Sequence, residues 1–309
     1  MRAGTTSGKL GPGFPKEEAA MAAVMERQGV AVKPTGAALA ADVEGVDLAG
    51  ALPAAAVAAV RKAWGDHLVL RFRGQSLSDE DLMRFSRQLG ELDWAPVAAT
   101  KDAPEGRDYV MVVSNVVENG QPIGQLGAYE AVWHTDMSYI PDPPMASALY
   151  ALEVPPAGGD TGFCNMYLAY DTLDPAVRLE VEGKLCRHDA SRNSAGELRR
   201  GFVDAPDPSQ TIGAEHPIVR THPETGRKAL FLGRRRNAYI IGLPLADSEA
   251  LLDALWAHAT KDEFTWYQQW RAGDLILWDN RCVMHRRDAF DPATRRIMHR
   301  TQIKGDRPF

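Results

Sequence analysis

The sequence predicts a mainly β fold with inserted helices, because short apolar segments alternate along most of it with glycine- and proline-containing turns. Many short strands interrupted by helices are typical of a double-stranded β-helix, also called a jelly roll. With 309 residues, 45% of them hydrophobic, the chain is long enough to bury one large core. We expect a single domain over residues 30–309, preceded by an extension over residues 1–29 that is disordered or partly helical.

Four helices are predicted from local patterns. They are residues 54–65, 78–89, 168–179 and 248–260. The first is alanine-rich, which favours a helix, and the second begins with the capping pattern Ser78-x-x-Asp81 and continues with one apolar face. These helices are expected to cover the β core.

The predicted strands are apolar segments bounded by turn residues. They are residues 67–72, 109–115, 146–153, 264–270, 274–278 and 297–303. Residues 218–232 predict a hairpin, since a Pro-Glu-Thr-Gly turn separates two apolar runs. The polar, arginine-bearing segment 186–214 has weak periodicity and is interpreted as a long insertion.

A candidate metal site is indicated by His134 and Asp136, with His285 about 150 residues later. Residues two positions apart lie on the same side of a β-strand, so His134 and Asp136 can reach one ion while His285 completes the face. Two neutral imidazoles and one carboxylate leave about half an octahedron open, as ferrous oxygenase centres require. A zinc hydrolase remains the alternative, because histidine and aspartate also bind zinc.

Two arginines near the end of the chain point to acidic ligands. Strand alternation places Arg296 and Arg300 on one face, with Ile297 and His299 on the other. Buried guanidinium groups are costly unless an anion meets them, and their planar fork fits a carboxylate. An internal arginine–aspartate pair or a solvated edge strand is the alternative.

Several motifs make the chain from about residue 32 to its end resemble the taurine dioxygenase and 2,4-dichlorophenoxyacetate dioxygenase family, which uses iron and 2-oxoglutarate. Besides the His134-Thr-Asp136 segment, they are Gly45-Val-Asp-Leu48, Val69-Leu-Arg-Phe-Arg-Gly-Gln75, Phe85-Ser-Arg-Gln-Leu-Gly-Glu91, Gly158-Gly-Asp-Thr161 and Trp278-Asp-Asn-Arg-Cys282.

The resemblance assigns expected roles to individual residues. It implies that Fe(II) is bound by His134, Asp136 and His285, and that 2-oxoglutarate is held by Arg296 and Thr161. It also implies that dioxygen is consumed with release of succinate and CO2. Because halogenating relatives lack the aspartate, Asp136 favours hydroxylation over chlorination. Family members are commonly dimers or tetramers, so we expect a homo-oligomer.

The expected substrate is a small anion whose acidic group meets Arg300, as in this family. Motifs in the C-terminal half look more like the 2,4-dichlorophenoxyacetate branch, so we favour a carboxylate such as an aryloxyalkanoate, with a sulfonate as the alternative. Glu130 stands where the taurine enzymes carry a polar substrate contact. Candidate substrate contacts are Asn115, Glu130, Tyr139 and Lys101.

Composition narrows the class of protein further. A net charge of −6 without a basic stripe argues against a nucleic-acid partner, and no apolar run resembles a secretory signal or a membrane span. Three cysteines without Cys-x-x-Cys spacing indicate reduced thiols and a cytoplasmic protein. A non-catalytic jelly roll that only binds 2-oxoglutarate is the second class of function considered.

Overall fold

The computed structural model describes residues 30–95, 109–128 and 131–309, and within these ranges the mainly β, jelly-roll fold is confirmed. The expected extension over residues 1–29 lies outside the described residues. None of the helices in the described ranges has the length and apolar character that crossing a bilayer requires.

The described strands are short, and eight of the twenty lie in the strand and hairpin segments that the sequence predicts. In chain order they are β1 (Ala31–Pro34), β2 (Ala41–Glu44), β3 (Val69–Phe72), β4 (Leu92–Asp93), β5 (Met111–Ser114), β6 (Val117–Glu118), β7 (Gln121–Pro122), β8 (Gln125–Leu126), β9 (Ala131–His134), β10 (Ala146–Glu153), β11 (Thr161–Asn165), β12 (Leu185–Arg187), β13 (Glu215–Pro217), β14 (Val219–Thr221), β15 (Lys228–Leu230), β16 (Tyr239–Ile240), β17 (Thr265–Gln268), β18 (Leu275–Asp279), β19 (Val283–Arg287) and β20 (Ile297–Ile303).

The helices are fewer and stand between strands. They are α1 (Ala54–His67), α2 (Asp79–Leu89), α3 (Met166–Asp171), α4 (Pro175–Val181) and α5 (Leu245–Ala259), with two 3-10 turns at Pro208–Gln210 and Asp262–Phe264. Ser78 forms the predicted capping box with Asp81 at the start of α2. The single helix predicted over residues 168–179 is wrong: Asp174 caps a new helix that begins at Pro175, so α3 and α4 are separate.

Two sheets form the jelly roll. The larger has the order β1-β2-β3-β18-β10-β20-β5-β8, with β4 also paired to β20, and the smaller has the order β17-β11-β19-β9. The predicted hairpin is present as β14 and β15. Segment 186–214 is mostly without regular secondary structure beyond Arg187, and it is tied to β9 because Val132 N donates to Ser194 O at 3.2 Å.

The central strands of the larger sheet are buried on both faces, and alternation along them decides which core each residue joins. On β10, Ala148 and Tyr150 pack with residues of α1 and α2, whereas Leu149 joins the core that contains residues of the smaller sheet. Each large side chain buried in this way contributes roughly 1.5–3 kcal/mol. The core that Leu149 joins also contains residues of β11 and β19, which border the candidate site.

Candidate metal and anion-binding site

The three predicted metal ligands lie together and are buried. His134 Nε2 is 3.7 Å and His285 Nε2 is 3.9 Å from Asp136 Oδ1, and the two imidazole centroids are 4.2 Å apart. His134 and His285 are directly opposed in the register between β9 and β19. One nitrogen or oxygen from each of the three side chains lies within 4.8 Å of the others, so the cluster can hold a metal ion.

Asp136 reaches this cluster by a route that strand alternation does not predict. Strand β9 ends at His134, and Asp136 lies in the following turn, where Met137 has a φ of 47°. Ser147 Oγ donates to Asp136 Oδ2 at 2.7 Å, and Asn280 Nδ2 donates to Ser147 Oγ at 3.1 Å. The Trp278-Asp-Asn run therefore helps to orient the carboxylate.

Both histidines are neutral at pH 7 because burial lowers the pKa of each imidazole. For His285 the pKa falls to about 4, and for His134 it falls well below its ordinary value, with the neighbouring imidazole adding to the effect. His134 Nδ1 lies 2.7 Å from Val132 O, so Nδ1 carries the proton and Nε2 keeps its lone pair. This is the protonation state that metal binding requires.

Arg300 pairs with the candidate metal ligand Asp136. Its Nη1 lies 3.0 and 3.1 Å from the two carboxylate oxygens, and its Nη2 contacts Met111 Sδ at 3.2 Å. Burial acts to raise the pKa of Asp136, but the Arg300 charge and the two histidines outweigh it and keep the pKa low. The internal arginine–aspartate pair considered from the sequence is therefore present here.

A narrow inner cavity of about 50 Å³ lies beside the cluster and is lined by His134, His285, Thr161, Arg296 and Arg300, among others. Arg296 is 2% exposed, and within the described ranges no hydrogen bond or ion pair reaches its guanidinium. Burial and the charge of Arg287 lower the pKa of Arg296, which still leaves it protonated at neutral pH. The wall of this cavity thus offers an uncompensated cation.

The predicted strand alternation around Arg296 is confirmed. Met298 and Arg300 are buried, while Ile297 and His299 are half-buried on the other face. Opposite Arg296, the positive φ of 70° at Gly159 suits a glycine, and an added Cβ there would lie 3.2 Å from Pro155 Cγ. This turn brings Thr161 to the cavity, where Trp270 Nε1 donates to its hydroxyl at 2.9 Å.

Asn115 has a different role from the substrate contact predicted for it. Its Nδ2 donates to the carbonyls of Pro292 and Thr294 at 3.2 and 2.8 Å, and its Oδ1 accepts from Arg296 N at 3.0 Å. Because the amide is fully used, Asn115 fixes the turn before β20 and so positions Arg296. Lys101 and Glu130 lie outside the described residues.

An outer cavity of about 580 Å³ opens on the other side of the cluster. Tyr139 lines it, as the sequence predicts, and the Arg199 guanidinium lies 3.8 Å from the Tyr139 ring centroid. Arg200 and Arg234 also line this cavity, and sequence reasoning missed them together with Arg199. Two signals in the sequence were the pair Arg199-Arg200 and the run Gly233-Arg-Arg-Arg236, which carry no acid between their arginines.

A second buried cluster, His222 with Asp279 and Cys282, has metal-like spacing but its polar atoms are already used. His222 Nδ1 accepts from two backbone N–H groups, so its Nε2 donates to Asp279 at 3.1 Å. Arg281 contacts both oxygens of Asp279, at 2.9 and 2.7 Å. We interpret this cluster as the support of the turn between β18 and β19, which places His285.

Asp279→Asn is expected to destabilise the fold by roughly 3–5 kcal/mol at pH 7, because Arg281 loses its buried counter-charge. The pKa of Asp279 is lowered in the fold because Arg281 and His222 outweigh burial, so its contribution is present above the unfolded pKa of about 4 and is lost as pH falls below it. Urea unfolding measures the free energy of unfolding of wild type and variant at pH 7 and at pH 3. The difference between the two proteins should be smaller at pH 3.

The matched control for that experiment is Asp253→Asn, since Asp253 is 70% exposed and pairs with Arg235 at the surface. Its effect should remain below about 1 kcal/mol. Equal losses for the two variants would contradict the supporting role assigned to Asp279.

Comparison with known proteins agrees with this geometry. Residues 31–302 match the family model described as taurine catabolism dioxygenase TauD, TfdA family. The chain is 35% identical over 288 residues to the alpha-ketoglutarate-dependent 2,4-dichlorophenoxyacetate dioxygenase of Cupriavidus pinatubonensis, covering 90% of this chain and 98% of that one. It is 33% identical to pentalenolactone F synthase of Streptomyces arenae, covering 88% and 94%.

A solved structure is similar along most of its length. The crystal structure of AAD-2 in complex with Mn(II) and N-oxalylglycine superposes with a TM-score of 0.76 and 30% identity, covering 90% of this chain and 98% of that one. The likeness therefore extends over the whole jelly roll.

Proposed function

The chain belongs to the TauD/TfdA family of 2-oxoglutarate-dependent dioxygenases, and from this premise we propose that it uses Fe(II) to hydroxylate a small carboxylate, with release of succinate and CO2. An aryloxyalkanoate is the best candidate, because relatives named for 2,4-dichlorophenoxyacetate and for (S)-phenoxypropionate match most of the chain. The observation that carries the proposal is the His-Asp-His cluster beside the buried guanidinium of Arg296, which no described residue pairs.

The three donors suit Fe(II). Two neutral imidazoles and one carboxylate are the donor set typical of ferrous oxygenases, and they would leave part of the coordination shell of the metal free for the co-substrate. Bound iron would supply the activation of dioxygen, and the chain supplies the ligands His134, Asp136 and His285. The hydrogen bond from His134 Nδ1 to Val132 O and the Ser147 contact to Asp136 orient these ligands, as outer contacts do in metal sites.

The inner cavity suits 2-oxoglutarate. Arg296 would bind the distal carboxylate through its planar fork, and the Thr161 hydroxyl would donate to it while accepting from Trp270 Nε1. A carboxylate there would compensate a buried charge that no described side chain neutralises. A zinc hydrolase leaves this fit unexplained, whereas a non-catalytic jelly roll that binds 2-oxoglutarate would share it and is distinguished by turnover.

Arg300 would bind the acidic group of the substrate. It lines both cavities, so it stands between the proposed co-substrate site and the larger outer cavity. An anion that met Arg300 would share the guanidinium with Asp136 and would place the nearby C–H bond beside the metal. Tyr139 in the outer wall would contact the body of the substrate.

The test is succinate release by the protein supplied with Fe(II), 2-oxoglutarate and oxygen, across aryloxyacetates, short carboxylates and sulfonates. We expect an aryloxyalkanoate to raise succinate release at least about tenfold above the uncoupled background, and Zn(II) to support none. Preference for sulfonates would favour the taurine-like alternative. Iron and 2-oxoglutarate uptake without turnover on any compound would favour a binding protein.

Three further expectations remain proposals. All three cysteines are buried thiols in the structure, which supports a cytoplasmic location. A homo-oligomer, dimer or tetramer, is proposed from family membership, and light scattering coupled to gel filtration tests it. The single-domain organisation of residues 30–309 stays a prediction that limited proteolysis can examine.

A further inference from the structure

The outer cavity carries more positive than negative side chains. Among the residues that the structure describes, four arginines line it, and two acids, Asp136 and Glu197, face them. Asp136 is already engaged by Arg300 and belongs to the candidate metal cluster, while Glu197 is exposed and accepts from Asn193 at 2.8 Å. The remaining positive charge points to an anionic ligand beyond the one that Arg300 would hold.

Among these arginines, Arg234 has a fixed place beside the metal cluster. Its backbone forms an antiparallel bridge with His134, and Thr135 N donates to Gly233 O at 2.9 Å. Directly opposed residues of an antiparallel pair project on the same face, so the Arg234 side chain leaves the backbone on the side of the His134 imidazole. His285, His134 and Arg234 are therefore neighbours across three adjacent backbone segments, and their side chains leave the same face, toward the inside of the barrel.

Arg234 is buried and makes no ion pair with an acid of the described ranges, although the more distant charges of Asp189 and Asp136 act on it. Its side chain lines the cavity and the residue is 7% exposed, its Nη1 donates to Arg192 O at 2.6 Å, and its Nε has no partner. Burial, together with the charge of Arg199, lowers its pKa to about 10. Within the described ranges no acid pairs with this guanidinium, and holding it buried is costly until an anion arrives.

We propose that Arg234 is a second anion anchor and that the substrate is a dianion, with one acidic group at Arg300 and the other at Arg234. This inference rests on the proposed function, since it takes the outer cavity to be the substrate site. A monoanion held by Arg300 would leave Arg234 buried without an ion pair in the complex. A second carboxylate, sulfonate or phosphate on the substrate satisfies it through charge-assisted hydrogen bonds.

Binding of matched ligands tests the proposal without relying on turnover. The protein is loaded with Mn(II) and 2-oxoglutarate without oxygen, so that the inner cavity is filled, and phenoxyacetate is titrated calorimetrically against its three carboxy-substituted isomers. The variants are Arg234→Met, which removes the charge, and Arg234→Lys, which keeps it. Arg236→Met is the matched control, because Arg236 is exposed two residues further along the chain.

We expect at least one dianion to bind wild type about tenfold or more tightly than phenoxyacetate. Arg234→Met should lower the affinity for that dianion roughly 10- to 100-fold, and it should lower the affinity for phenoxyacetate less than about threefold. Arg234→Lys should keep part of the preference, and Arg236→Met all of it. Equal affinity of wild type for all four ligands, no binding of any of them, or equal losses for mono- and dianion in Arg234→Met would overturn the proposal.

Failure of the proposed function would look different. In that case no compound supports succinate release, while the preference for dianions and its loss in Arg234→Met persist in calorimetry. Succinate release with phenoxyacetate and no effect of Arg234→Met on any ligand would instead leave the function standing and remove the second anchor.

Discussion

Alanine at His134 or at Asp136 is expected to reduce substrate-dependent succinate release to background, a loss of roughly 1000-fold or more, as for other catalytic residues that act as a unit. Each side chain provides one of three ligand atoms within 4.8 Å, and two remaining ligands would hold a metal poorly. Succinate release and calorimetric Fe(II) binding under anaerobic conditions should fall together. Retained activity in either variant would remove that residue from the ligand set.

His258→Ala is the control for this experiment. His258 lies on α5 and contacts Ala169 O at 2.9 Å, away from both cavities. It should leave Fe(II) binding and turnover near wild-type values. A loss as large as that of His134→Ala would indicate that general destabilisation, and not ligand removal, explains both variants.

Arg296→Met is expected to weaken the binding of 2-oxoglutarate by about 2–5 kcal/mol, which corresponds to a loss of affinity of roughly 30-fold or more. The reason is that the buried carboxylate of the ligand would lose its counter-charge. The ligand-free protein should be as stable as wild type or more stable, since the variant replaces an unpaired buried cation with an apolar side chain. KM for 2-oxoglutarate and the melting temperature without ligands measure the two effects.

Arg300→Ala should have the opposite effect, because it should lower the affinity for the substrate more than the affinity for 2-oxoglutarate. Arg295→Met serves as the control, because Arg295 is exposed and pairs with Glu153 at 2.7 Å. Identical effects of Arg296→Met and Arg300→Ala on both ligands would contradict separate sites for the two anions.

Local sequence patterns predicted the longest strands of the larger sheet, whereas Thr161 and the role of Arg296 followed from the family resemblance. Strand β20 and the alternation of Arg296 and Arg300 follow directly from periodicity, because one face of this strand is buried. Alternation failed at Asp136, where the chain leaves β9 and a turn with Met137 at positive φ delivers the carboxylate. Periodicity cannot predict a contact made by such a turn.

The arginines that line the outer cavity are the part of the site that the sequence did not predict. Arg234 stands in a run of three arginines, which ordinarily indicates a solvated surface, and its burial depends on a bridge to His134, 100 positions earlier. Asn115 shows the reverse error, because a polar residue beside the barrel mouth supports the Arg296 backbone instead of facing the cavity. Both outcomes depend on distant pairing that local composition does not encode.

Segment 186–214 contributes to the outer cavity but is not part of the sheet that holds the candidate metal ligands His134 and His285. Part of the outer wall is irregular chain joined to β9 by the backbone hydrogen bond from Val132 N to Ser194 O, whereas the His-Asp-His cluster depends on sheet register and on the β18–β19 turn. Exchange of that segment leaves the register of the sheet untouched. We therefore expect that selectivity can be altered in this segment while the candidate metal cluster stays in place.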